Sequence, residues 1–210
     1  MDIIGDRTVV RPAPIEKGEA MDDIDVGLFE KARDGDREAF WQVIAPYRGL
    51  IYSVARGMVG AHERCEDLLH DILLVAYQAL PRLKDPSRLS SWLYGVTRNH
   101  IMEVARREQR LRRATMEQGA QQTHVAPVIE LLEREQWLAD MDEALTRLPE
   151  PFRVILALKY TNDYSCREIS EILDLSVSAV KSRLFEARKL LRKKMAALSN
   201  AKEAPGHAVR

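Results

Sequence analysis

The chain has 210 residues, 32 basic and 32 acidic, so it carries no net charge at pH 7. That length suits one medium domain or two small ones, and overall neutrality selects no partner class, leaving only the placement of charge to do so. Two distant cysteines, Cys65 and Cys166, exclude a disulfide framework and fit a reduced cytosolic compartment, and no apolar run reaches the ~18 residues that a membrane span needs.

Glycine is sparse and long alternations of Val, Ile and Thr are missing, which predicts an all-α chain. Residues 1–25 lack a cationic start followed by an apolar block, so they read as a flexible leader and not as a secretory signal. Met21 is a second candidate start. A first helical block spans 26–113. In it, "LFEKARDGDREAFWQVIAPYRGLIYSVARGMV" reads as two helices broken at Asp34-Gly35-Asp36.

"CEDLLHDILLVAYQAL" is the third helix of that block. On a wheel of ~100° per residue, Leu69, Ile72, Leu73, Ala76 and Leu80 form the core stripe. A second stripe holds Asp67, His70, Asp71, Leu74 and Gln78, which suits a docking face for a partner protein, although a solvated face with one stray leucine has the same pattern. His62, Cys65 and His70 match no standard zinc spacing, so no metal site is expected.

"PRLKDPSRLS" is a loop punctuated by Pro81 and Pro86. The fourth helix, "SWLYGVTRNHIMEVARREQRLRR", turns Leu93, Val96, Thr97, His100 and Val104 inward. His100 there reads as a satisfied core histidine. The other side carries Gly95, Arg98, Asn99, Met102 and Arg106. Glycine admits close approach, and Asn and Arg have the geometry that reads base edges. With Arg82, Lys84 and Arg88 in the preceding loop, this side is a candidate surface for a flipped or single-stranded base.

Residues 114–130, with Gly119 and Pro127 and no apolar period, read as a flexible linker. The second helical block spans 131–198, and the tail, 199–210, is expected to be disordered. "EREQWLADMDEALTRL" is an acidic amphipathic helix ended by Pro149. "EPFRVILALKY" follows, with Pro151 in a first turn where a missing N–H costs nothing. Asn162 and Asp163 break it. "SCREISEIL" opens on Ser165 and Glu168, spaced as a capping box. After the turn "DLS", Ser176 or Ser178 caps a last helix.

Val180, Leu184, Ala187 and Leu191 form that helix's core stripe, facing Ile169, Ile172 and Leu173. Its opposite face carries Ser178, Lys181, Ser182, Phe185 and Lys189. An exposed Phe among cations and hydroxyls suits entry into a DNA major groove, where hydroxyls and cations meet phosphates and base edges and the ring meets a thymine methyl. Helix, short turn, capped helix is the helix-turn-helix pattern. A basic helix that only closes a small bundle is the plainer alternative. No Gly-rich phosphate loop, nucleophile motif or metal cluster suggests catalysis, so neither catalytic residues nor cofactors are expected.

Three stretches, "EDLLHDILLVAYQAL", "SWLYGVTRNHIMEVARR" and "LPEPFRVILALKYTNDYSCREISEILDLSVSAVKSRLFEARKLL", resemble the bacterial RNA polymerase sigma factors, in particular the minimal extracytoplasmic-function (ECF) subfamily. The resemblance covers roughly 26–195 apart from the linker. It implies a region 2-like helical bundle at 26–113 that binds core polymerase and opens the −10 element. It implies a region 4-like helix-turn-helix domain at 131–198 that reads the −35 element. By resemblance, Asp67, His70, Asp71 and Leu74 lie on the core-docking helix, and Arg88, Arg98, Asn99 and Arg106 serve the −10 element, Asn99 meeting an extruded base. Ser178, Lys181, Ser182, Phe185, Glu186 and Lys189 would contact the −35 duplex. The implied partners are core RNA polymerase (clamp and flap), promoter DNA and an anti-sigma factor, with a monomeric, cytoplasmic free protein. His70 stands where the family usually has Gln, Glu186 where Arg is common, and Leu89 in place of an aromatic. The rival reading is a stand-alone helix-turn-helix regulator, which would be a dimer binding its site without polymerase.

Overall fold

The computed structural model describes residues 24–59, 62–116 and 140–203; most of the leader, most of the linker, the first half of the predicted acidic helix (up to residue 139) and the last seven residues lie outside them. All regular structure among the described residues is helical. The first helix, α1 (Val26–Arg33), starts on Asp25, whose side chain accepts from the Leu28 amide. It ends at Asp34, and Gly35 then takes φ +100°, a conformation that L side chains rarely adopt. Asp36 caps α2 (Arg37–Ile44) by accepting from the amides of Glu38 and Ala39.

The sequence predicts one helix after the break at Asp34-Gly35-Asp36, running to Val59, but the structure divides it. Pro46 has no N–H to continue the α ladder, and residues Ala45–Tyr47 turn as a 3-10 segment before α3 (Arg48–Val59) begins. Eight of the twelve residues of α3 are buried, including Leu50, Ile51 and Val54. A helix buried nearly all round is the centre of a bundle, and α4, α5 and α7 all pack on it.

The predicted core stripe of α4 (His62–Ala79) is inside, with Leu69, Ile72, Leu73 and Ala76 buried. Tyr77 at its C-terminal end packs edge-on against Phe40 and donates its hydroxyl to the Gly35 carbonyl at 2.9 Å. Two 3-10 turns, Leu80–Arg82 and Pro86–Arg88, carry the chain to α5 (Leu89–Met116). Leu93, Thr97 and Ile101 face the core. His100 also turns inward, yet its Nε2 is buried without a hydrogen-bond partner, so it is not the satisfied core histidine expected.

The second module resumes at residues 140–146 (α6) and continues through α7 (Glu150–Thr161), α8 (Cys166–Leu173) and α9 (Val177–Glu203). Asn162 and Asp163 end α7 as predicted, Asp163 with φ 53°. Two boundaries move outward. The last helix continues to Glu203, past the expected start of a disordered tail at 199, and α5 runs to Met116 in place of stopping at 113. "SNAKE" and "ATM" contain no Pro or Gly, so nothing local stops a helix already propagating through them.

Candidate nucleic-acid interface

Local chemistry builds the helix-turn-helix. Ser165 Oγ accepts from the Glu168 amide, and Glu168 Oε2 accepts from the Ser165 amide at 2.6 Å, which closes the capping box. The other end of α8 closes on Asp174 in the left-handed region (φ 52°), with the Leu175 amide donating back to the Ser170 carbonyl at 2.9 Å. Ser176 Oγ then accepts from the Ala179 amide at 3.2 Å, which selects Ser176 over Ser178 as the cap of α9. Ile169, Ile172, Val180, Leu184 and Ala187 are buried between the two helices and the bundle.

That packing fixes what α9 shows to solvent. Ser178, Lys181, Ser182, Phe185, Glu186 and Lys189 are all exposed, Phe185 by 59%. They share one side of one helix, so the structure brings this predicted set together. Ser178 is partly occupied, since its hydroxyl lies 3.0 Å from that of Ser176.

The predicted set on α5 is only partly assembled. Arg98, Asn99 and Arg106 line one depression of about 480 Å³ with Met102, Glu103 and Arg110. Arg88 lies apart, at the end of the preceding turn, where its carbonyl accepts from Ser91 Oγ. Asp85 shapes that turn by accepting from the Ser87 hydroxyl at 2.7 Å and the Ser87 amide at 3.0 Å, and these bonds hold its carboxyl below the usual range. Gly95 admits close approach, as expected, but no protein atom takes the space: a Cβ there would meet nothing within 4 Å. On α4, Asp67, His70, Asp71 and Leu74 form one exposed stripe opposite the buried one, with Leu74 58% exposed.

A further set of residues was not legible in the sequence: those that join the two modules. Gly57 of α3 lies against the α7 backbone, where a Cβ would stand 2.7 Å from the Val154 Cα. Arg153 reaches from α7 to the end of α3, its Nε donating to the Gly57 carbonyl at 2.9 Å and its Nη2 to the Met58 carbonyl at 3.0 Å. Its Nη1 donates to the Thr146 carbonyl at the end of α6. One guanidinium thus caps the free carbonyls of two helices. Buried Ser53 donates to Asn162 Oδ1 at 2.6 Å, and Arg56 pairs with Asp142. Arg98 of the α5 depression pairs with Glu150 at 2.9 Å. Beside these contacts runs an apolar cleft of about 1200 Å³, lined by Val59 of α3, Leu156 and Tyr160 of α7, and Phe185 and Leu191 of α9.

A helical bundle with an exposed acidic-leucine stripe, followed by a helix-turn-helix whose recognition helix is bare, defines a protein of the helix-turn-helix transcription class. Comparison with known proteins narrows the class. Residues 43–111 match the sigma-70 region 2 model and residues 138–191 the sigma-70 region 4 model, together more than half of the chain. The chain belongs to the sigma-70 family and is an alternative sigma factor of the ECF group. It is 26% identical to the ECF RNA polymerase sigma factor SigW of Bacillus subtilis over 183 residues, 80% of this chain and 94% of that protein. It is 25% identical to the ECF RNA polymerase sigma-E factor of Escherichia coli K12, over 80% of this chain and 92% of that protein.

Two solved structures share the fold. CnrH, in complex with the cytosolic domain of CnrY, aligns with TM-score 0.53 and 24% identity over 83% of this chain and 96% of that one. The sigma factor RpoE of Bartonella quintana, in complex with the anti-sigma factor NepR, aligns with TM-score 0.53 and 23% identity over 76% and 98%. No helix among the described residues is long and apolar enough to cross a membrane.

Proposed function

We infer that this sigma factor binds core RNA polymerase through the exposed α4 stripe and brings it to promoters read at two places by two modules. The bundle, residues 26–113, takes the −10 element on the α5 depression, where Asn99 offers paired donor and acceptor to an unstacked base and Arg98 and Arg106 hold its phosphates. Arg88 meets the strand outside that depression. The helix-turn-helix domain, residues 131–198, lays α9 in the major groove of the −35 element. There Lys181 and Lys189 meet phosphates, Ser178 and Ser182 meet backbone or base edges, and Phe185 makes apolar contact. Glu186 accepts from a cytosine N4 amine.

The observation that carries this reading is the exposure of Phe185 among cations on a helix whose other face is buried at Val180, Leu184 and Ala187. Cations, hydroxyls and one apolar ring together on the exposed face of the second helix of a helix-turn-helix supply the groups that meet phosphates, base edges and a thymine methyl. RNA synthesis itself belongs to the polymerase. The protein acts in the cytoplasm, as a monomer when free, and is held in check by an anti-sigma partner of the kind that the neighbouring structures contain. The stand-alone regulator reading gives way because the first module matches a sigma region.

Transcription in vitro with core polymerase on a library of randomised promoters tests the proposal. Defined start sites should appear only when the protein is added, with enriched sequences at −10 and −35. Start sites independent of the protein, or tight binding to specific duplexes by the protein alone with no transcription, would overturn it.

A further inference from the structure

We propose that Gly95 is the crossing point at which the opened promoter strand passes over α5, its sugar–phosphate backbone against the bare helix, between Arg88 and the depression at Asn99. The inference rests on the reading of the −10 face given above. It adds to that face a positioning residue that has no functional group of its own.

Neither packing nor backbone conformation calls for glycine at this position. Leu93 and Thr97, two residues to either side, are fully buried. At ~100° per residue, Gly95 therefore lies on the far side of α5 from the core. A Cβ added there would meet nothing within 4 Å, and its φ lies outside the left-handed region. Gly35 and Gly57 differ: the first takes φ +100°, and a Cβ on the second would stand 2.7 Å from the Val154 Cα. A glycine inside the helix Leu89–Met116 gives up stability that alanine would supply. What it offers in return is an approach to the helix backbone closer than any side chain permits.

The surroundings identify what approaches. Arg88 stands two turns before Gly95, while Asn99, Met102 and Arg106 follow it at helical spacing on the same face. Between Arg88 and Arg98 the sequence has no acidic residue. Ser91, on the same side, turns its hydroxyl back onto the Arg88 carbonyl at 3.1 Å. Asn99 and Arg106 line the depression together with Arg98 and Arg110. Gly95 lies about 6 Å before Asn99 along the axis, at ~1.5 Å per residue. A polyanion held at Arg88 and at Arg106 has to traverse position 95. Single-stranded DNA does so with phosphates on the arginines and a sugar on the glycine. The amide and carbonyl of Gly95 are used within the helix, so the contact is van der Waals and depends on close approach alone. A methyl placed in between would hold the strand off the helix and draw the unstacked base away from Asn99, whose hydrogen bonds work only over a narrow range of distance.

Stability and function should therefore change in opposite directions. Gly95→Ala and Gly95→Leu are made in the full-length protein, with Asn99→Ala beside them. Melting temperature is measured on the free protein. Holoenzyme is titrated onto a promoter selected from the randomised library, and opening is read by permanganate oxidation of unpaired thymines near −10. Its binding to a duplex that carries the −35 element alone is measured in parallel. Both glycine variants should melt higher than the parent, by about 2–4 °C for a chain of this size. Opening with Gly95→Ala should need at least about fivefold more holoenzyme, the low end of what one lost base contact costs. Gly95→Leu should need more still, and affinity for the −35 duplex should not change.

Opening equal to that of the parent would overturn the crossing. So would a fall in melting temperature, which would make the glycine structural, or an equal loss on the −35 duplex, which would make the effect indirect. If Asn99→Ala opens the promoter as the parent does, the −10 reading fails and the crossing with it. If Asn99→Ala is defective while Gly95→Ala is not, the crossing alone fails.

Discussion

At the scale of single residues, Arg153 is the most consequential side chain that joins the modules. Its three donors reach the carbonyls of Gly57, Met58 and Thr146, which no intrahelical amide can satisfy. The positive charge also lies at the negative ends of two helix dipoles. Exposed ion pairs contribute only ~0.2–1 kcal/mol each, so Arg98–Glu150 and Arg56–Asp142 are the weaker ties. Arg153→Ala should destabilise the chain by about 1–3 kcal/mol, from charged hydrogen bonds lost and carbonyls stranded. Urea denaturation measures this, and Arg153→Lys should recover only part of it, because an ammonium lacks the planar fork. None of this was legible in the sequence, where Arg153 is one basic residue on an amphipathic helix and its partners lie up to 96 positions away. Cys65 contrasts with it. Burial, above all, pushes its thiol up, with Glu66 adding to the effect and Arg56 opposing it. Iodoacetamide under native conditions should therefore label half-buried Cys166 and spare Cys65 until denaturant is added. Early labelling of Cys65 would contradict its placement in the core.

At the scale of elements, the turn between α8 and α9 determines whether the recognition helix is presented at all. The chain has no glycine there and uses Asp174 in the left-handed region, leaving the caps on either side to define the geometry. Ser165→Ala removes one half of the capping box and should cost about 0.5–2 kcal/mol. Thermal melting reads that loss, and Ser165→Asp, which keeps an acceptor, should restore most of it. An unchanged melting temperature in Ser165→Ala would mean that the box contributes little. Elements such as this were legible because caps and breakers act within four residues of one another. Ser165 with Glu168, Asp36 at α2 and Asn162 after α7 all mark true helix ends. The break at Pro46 is hidden because the apolar period continues across it: Val43, Ile44, Tyr47, Leu50 and Ile51 are all buried. Phase continuity conceals a change of axis. The contact at Gly57 left no trace either, since one glycine inside a helical pattern does not disclose which distant backbone it admits.

At the scale of the whole molecule, neutrality conceals strong segregation. Between Val177 and Lys194, α9 carries seven cations and a single acid, Glu186, while α4 exposes Glu66, Asp67 and Asp71. An acidic surface on one module lowers the attraction of the free chain for arbitrary DNA, and the basic helix acts once the acid is covered by a partner. The charge on α9 and the ring of Phe185 should then separate experimentally. A cation that neutralises one phosphate contributes about 0.9 to the slope of log affinity against log salt, whatever the sequence. Lys181→Ala and Lys189→Ala should each reduce that slope by about this amount in the holoenzyme and weaken all promoters alike. Phe185→Ala should leave the slope intact and instead flatten the preference at one base pair of the −35 element, because an apolar contact with a base edge releases no counterion. Titrating holoenzyme against a selected promoter and its single-base variants at several salt concentrations gives both quantities. If Phe185→Ala lowered the slope while either lysine variant changed the preference, the ring would be lying along the backbone and α9 would be docked in an orientation different from the one its exposed face implies.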